Sequence, residues 1–133
     1  MDGRRLTVGV VTTLALFLPP CDRGGDHGVA LSLDRGVASP GQTLELTIEN
    51  RTRWRLEYGV SYKLERREDG RWRWVNRDQA FILLLKFIEP GEREREEIRL
   101  ARDLRPGDYR VVKFFTAPAP DRELRAGVEF RVI

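Results

Sequence analysis

"LRPGDYRVV", residues 104–112, decides the fold. A leucine, a Pro-Gly pair and a tyrosine that opens a strand-like run have the form of a tyrosine corner. In that device a phenol hydroxyl bonds a backbone group a few residues upstream and fixes a connection of a Greek-key sandwich. Tyr109 is therefore read as structural. Beyond it the pattern runs two ways, with Val111, Lys113 and Phe115 on one parity and Val112 and Phe114 on the other, so a bulge is one reading of this strand.

Working outward, period-two alternation recurs. Val29, Leu31 and Leu33 alternate with small or polar neighbours, as do Leu44, Leu46 and Ile48, then Val60, Tyr62 and Leu64, and near the end Leu124, Ala126, Val128, Phe130 and Val132. One apolar and one polar face per run marks half-buried antiparallel strands. Between the runs stand "SPGQ" (39–42), "EDGR" (68–71), "EPGE" (89–92) and "RPGD" (105–108). Pro-Gly fits a type II turn, and Asp-Gly a tight hairpin. No segment carries a convincing helical period, so the expected class is all-β, an antiparallel Greek-key sandwich of about seven strands.

The chain has 133 residues, 41% hydrophobic and 34% charged, with a formal charge of +3. That fits one domain with a real core and a heavily charged surface. The charges interleave, as in "EREREE" (92–97), and neither a clustered cationic face nor a nucleic-acid-binding module is visible, so no nucleic acid partner is expected.

Residues 1–20 read as a secretory signal, with Arg4 and Arg5 ahead of the apolar run Leu6–Leu18, which is too short for the roughly 20 residues that span a bilayer. Leu18-Pro19-Pro20-Cys21 resembles the bacterial lipobox, with prolines where small residues are usual. Cys21 is the lone cysteine, so it has no intramolecular disulfide partner, and lipidation at Cys21 is the expectation. Residues 21–28 have the composition of a flexible tether, and His27 within it is read as solvated. The domain proper is 29–133, placed outside the cytoplasm, on the cell surface or in the periplasm, by a lipid anchor in the membrane.

The succession "SPGQTLELTIEN", "YGVSYKLERREDGRWRWV", "AFILLLKFIEPGE" and "LRPGDYRVVKFF" resembles the bacterial immunoglobulin-like domains of secreted and lipid-anchored proteins, over about residues 29–133. The resemblance implies an immunoglobulin-like sandwich and brings no catalytic residues. A weaker resemblance, to a bacterial proteinase-inhibitor domain, rests on the strand ending in Asn50, the Asp-Gly hairpin followed by tryptophan, and the Pro-Gly-Glu turn.

With no Cys or His in 29–133, nucleophilic triads and zinc-type metal sites lack their residues, and no cofactor is expected. Asp103 and Asp108 are loop carboxylates without a calcium-loop spacing. The many glutamates alternate with arginines, as ion-paired surface strands do, so no enzyme is expected. The aromatics carry more information. Trp72 and Trp74 fall on one strand face with Arg71 and Arg73 on the other, and Trp54 stands between arginines in a nearby connection. These five residues are the candidate binding surface, for a protein or glycan partner, against the reading that the indoles fill the core. "FILLLKFI" (81–88) reads as a strand apolar on both faces, either covered within the fold or available to a partner. The expected function is a non-catalytic binding or structural module, with a proteinase inhibitor or a carbohydrate-binding module as alternatives.

Overall fold

The computed structural model describes residues 28–118 and 121–133. Residues 1–27, with the expected signal segment, Cys21, His27 and all of the expected tether but Gly28, lie outside them. The described residues contain ten strand segments: β1 (Val29–Leu33), β2 (Val37–Ala38), β3 (Thr43–Asn50), β4 (Leu56–Gly59), β5 (Lys63–Glu68), β6 (Arg71–Trp74), β7 (Leu85–Ile88), β8 (Arg93–Arg99), β9 (Gly107–Pro118) and β10 (Asp121–Val132). They form two packed sheets. The smaller has the order β1-β3-β8, and the larger runs β2-β10-β9 and then divides, because β4 and β5 share the far edge of β9. β7 pairs with β4 and β6 with β5. The ten segments thus occupy seven strand positions: β1 and β2 are one strand that changes sheets, β4 and β5 one interrupted strand, and β6 and β7 one interrupted edge. The connections β3 to β4, β7 to β8 and β8 to β9 all cross between sheets, as an immunoglobulin-like Greek key requires.

The alternating runs supply the core. Leu44, Leu46 and Ile48 of β3 and Ile98 of β8 face Leu56, Ile88, Val111, Phe115 and Phe130 of the larger sheet, all nearly or wholly buried. Each such side chain contributes roughly 1.5–3 kcal/mol relative to exposure. Tyr58 leans on Phe115 with ring centroids 5.1 Å apart, and Tyr109 stacks on Phe130 at 5.7 Å. The Tyr109 hydroxyl donates to the Arg105 carbonyl, which completes the tyrosine corner.

The turn chemistry is carried out locally. Gly41 and Gly91 take φ of 86° and 81°, with Gln42 N–H bonded to Ser39 O and Glu92 N–H to Glu89 O, as type II turns require. Asp69 and Gly70 both have positive φ, the type I′ pattern that lets Glu68 pair directly with Arg71. "RPGD" differs: Gly107 opens β9 itself, and a Cβ there would stand 3.0 Å from Arg66 Nε, so the glycine makes room for a guanidinium.

Three details depart from the alternation. Residues 60–62 form no strand, so Val60 and Tyr62 belong to the break between β4 and β5. β9 has no bulge, since its register with β10 is continuous from Gly107 opposite Val132 to Pro118 opposite Asp121. The apparent double parity arises because Lys113 points inward and Val112, on the outer face, is also buried. "FILLLKFI" is a strand only from Leu85, and of its apolar residues only Ile88 is buried.

Candidate binding surface

In the β5–β6 hairpin Glu65 stands opposite Trp74 and Arg67 opposite Trp72, while Leu64, one residue away, is in the core. Both indoles therefore lie on the outer face of the larger sheet. Side chains directly opposite share a face, so Arg110 of β9, opposite Glu65, joins them, and its guanidinium pairs with Glu65. It also lies 4.4 Å from the centroid of the Trp72 ring, whose other cation is Arg67 at 5.6 Å. Trp74 has Lys63 and Arg77 each 4.6 Å from its centroid. The pattern is a ladder of alternating indoles and cations, each indole half-buried.

The ladder ends at a groove of about 280 Å³ lined by Tyr62, Lys63, Trp74, Asn76, Phe81 and Phe114 among others. Asn76 shapes it. Its Oδ1 accepts from Leu64 N–H at 2.7 Å and from Trp74 Nε1–H at 2.8 Å, and its Nδ2 donates to Tyr62 O and Gln79 Oε1. The side-chain amide continues the ladder that the backbone leaves at the end of β6 and fixes the Trp74 ring. Tyr62 and Phe81 meet edge to face at 5.0 Å across the break. Burial raises the Tyr62 phenol above its ordinary pKa, against a hydrogen bond from Gln79 that lowers it.

Behind this face, between the sheets, sits a polar cluster. The Lys113 ammonium has no exposed surface and donates to Gly59 O at 2.9 Å, Ser61 O at 3.1 Å and Glu96 Oε1 at 2.7 Å. Lys86 holds the other oxygen of Glu96 at 3.3 Å. Burial pulls the Lys113 pKa below its usual value, while the Glu96 carboxylate opposes the fall. The Tyr58 phenol beside it is raised by burial first and then by Glu96, Glu94 and Glu92. Gly59 and Ser61 are where the β4–β5 strand breaks, so the lysine serves carbonyls that lose their ladder partners. The cluster is scaffold: the Lys113 ammonium is closed from solvent with all three of its hydrogens engaged, and the Tyr58 hydroxyl beside it is buried without a partner.

The five sequence-designated surface residues do not form one patch. Trp72 and Trp74 are adjacent and outside the core. Arg71 and Arg73 project from the opposite face of β6, where Arg73 pairs with Glu68 at 3.1 Å. Trp54 packs against the core at the end of the sandwich, 5.7 Å from Arg122. Arg122 lies opposite Ala117, seven residues along β9 from Arg110, so Trp54 is on the order of 20 Å from Trp72. Asp108 is paired with Arg131 at 2.9 Å. Sequence reasoning missed Arg67, Arg110, Lys63 and the groove residues. The signal for them was strand register, since cross-strand partners of two tryptophans on one face must share that face.

The three features behind the inhibitor resemblance are framework. Asn50 is fully buried, donating to Trp54 O and Ile88 O and accepting from Thr52 N–H and Oγ1–H. Asp69-Gly70 makes the hairpin, and Glu92 Oε1 accepts from Glu89 N–H at 2.7 Å to close its own turn.

No curated protein matches the chain. Among solved structures it is similar to the ASH/PapD-like domain 7 of human CEP192, at 16% identity and a TM-score of 0.44, with 96% of this chain and 98% of that one covered. It is also similar to the sporulation control protein Spo0M of Bacillus subtilis, at 13% identity and a TM-score of 0.46, covering 80% of this chain and 48% of that one. A family model described as a bacterial Ig-like domain matches residues 25–131, and the chain belongs to that family.

Proposed function

We propose that this chain is a non-catalytic binding module, held on the extracytoplasmic side of a membrane through lipidated Cys21, that takes its partner on the outer face of the β5–β6–β9 sheet. The observation that carries the reading is the position of Trp72 and Trp74. They stand off the core, side by side and half-buried, with cations over their rings, beside a groove. Indoles and arginines so placed are what well-packed binding surfaces use as anchors. Lys63, Arg67, Arg77 and Arg110 outnumber the carboxylates Glu65 and Glu129 there, so the fitting partner, protein or glycan, carries acidic groups.

Tryptophan fluorescence during titration with an acidic polysaccharide, a neutral one and an acidic peptide pool tests the surface. We expect saturable change with acidic ligands only, weakened about tenfold or more in Trp74→Ala and retained in Trp54→Phe. Silence with all three would reject it. The anchor is tested separately by fatty-acid labelling of the wild type against Cys21→Ala in a bacterial host, with label expected on the wild type alone. The inhibitor alternative rests on framework residues, and a three-indole sugar platform would need Trp54 far nearer than it is.

A further inference from the structure

The end of the connection between β6 and β7, together with β7 itself, leaves five large apolar side chains in the open. Ile82 is 72% exposed, Leu83 wholly so, Leu85 60%, Leu84 49% and Phe87 43%. A native surface seldom concentrates apolar groups in this way unless something covers them. We infer that this projection, Ile82–Leu85, inserts into the interfacial region of a lipid bilayer, so that the domain lies with its β6/β7 edge against the membrane.

The surroundings of the tip favour lipid over protein. Behind the aliphatic residues stand aromatic ones, Tyr62, Trp74, Phe81 and Phe87, and among these are Lys63, Arg77 and Arg55, the last 4.1 Å from the Phe87 centroid. An aliphatic tip backed by an aromatic girdle follows the polarity of a bilayer surface from acyl chains to headgroups. Charge adds nothing to this: Glu89 is engaged with Arg55 and Glu96 with Lys86, and Asp78 and Glu57 offset Lys63 and Arg77. A second copy of the chain fits less well. A stable dimer calls for about 800 Å² and some 20–30 residues from each partner, and this projection offers a handful.

Geometry adds a further argument, which rests on the anchoring proposed above. Seven residue steps lead from Cys21, at the start of the tether, to Gly28, a reach of at most roughly 25 Å. Gly28 O accepts from Arg51 N–H, and Asn50 next to it bonds Ile88 O, so the tether enters the fold beside the end of β7. A lipid on Cys21 would hold the projection within reach of the bilayer at high effective concentration.

The test uses the full chain carrying Cys21→Ala, which removes the anchor, with Leu83→Cys labelled by an environment-sensitive fluorophore. Gly70→Cys, at the β5–β6 hairpin tip, is the control. On titration with vesicles of phosphatidylglycerol and phosphatidylcholine we expect a blue shift at position 83, quenched by brominated lipid, and none at position 70. After Ile82→Glu the same vesicles should need about tenfold more lipid for half-saturation. A label at 83 that stays water-exposed while the chain sediments with vesicles overturns the inference, because the leader alone would then be bound. A concentration-dependent blue shift without lipid overturns it in favour of self-association. Response at 83 together with failure of fatty-acid labelling on the wild type would leave this inference standing and remove the anchor.

Discussion

Three hydrogen bonds satisfy the buried ammonium of Lys113, and two of them go to carbonyls that no strand reaches. Truncation to methionine keeps the volume but orphans Gly59 O and Ser61 O and loosens Glu96, so Lys113→Met should destabilise the fold by about 3–5 kcal/mol in urea denaturation. Adding Glu96→Leu should recover only part of this, because the carbonyls stay unpaired. The tyrosines respond to pH. The chain has three, and burial raises all of them, Tyr109 against the opposing charge of Arg66. Below pH 10 neither folded nor unfolded phenols ionise and their contribution is complete. Above it the unfolded chain releases protons that the folded chain keeps, so stability falls as pH rises. Lys113 works in the opposite sense up to 10.5, since the cost of burying its charge eases as pH rises. With three groups against one, absorbance at 295 nm should show little phenolate at pH 10 and then a cooperative rise that coincides with unfolding.

At the scale of elements, legibility followed how much of a strand's inward row is apolar. β1, β3 and β10 alternate cleanly and were readable in advance, as were the Asp-Gly hairpin and two of the Pro-Gly turns. β8 was not, because its inward row is Glu94, Glu96 and Ile98, so that half-buried carboxylates carry the phase that leucines carry elsewhere. The sequence shows only a charge run. The β4–β5 break was hidden for a related reason: Val60 and Tyr62 keep the alternation going through a stretch where Lys113, more than fifty residues away, takes over the hydrogen bonding. Asn50 does the same work at the end of β3, tying the loop through Thr52 and Trp54 to Ile88 of β7. Asn50→Ala strands these groups in the core and should cost about 3 kcal/mol, read as a lowered urea midpoint with an unchanged slope.

For the molecule as a whole, the class of fold was legible from turns, alternation and the tyrosine corner, because a single core needs all its strands to agree on a face. The surface was legible only in part. Trp72 and Trp74 were found by their shared parity, but the cations that border them come from β9 and from the loop after β6, and no local pattern joins Arg110 to Arg67. A structure was needed to show that Trp54 belongs to the far end of the sandwich, whereas the parity of Arg71 and Arg73 already turned them away from the indoles.

The first strand gives half of itself to each sheet. β1 runs antiparallel to β3, and β2 runs parallel to the last strand, through Arg131 N–H to Gly36 O and Ile133 N–H to Ala38 O. The two ends of the domain leave it at opposite poles. A pull between them therefore loads β2 against β10 along their lengths, so the bonds must give way together rather than one after another. A domain held by its N-terminus and pulled at its C-terminal end would resist as a clasp in shear, with its mechanical lifetime set by the barrier to that first slip.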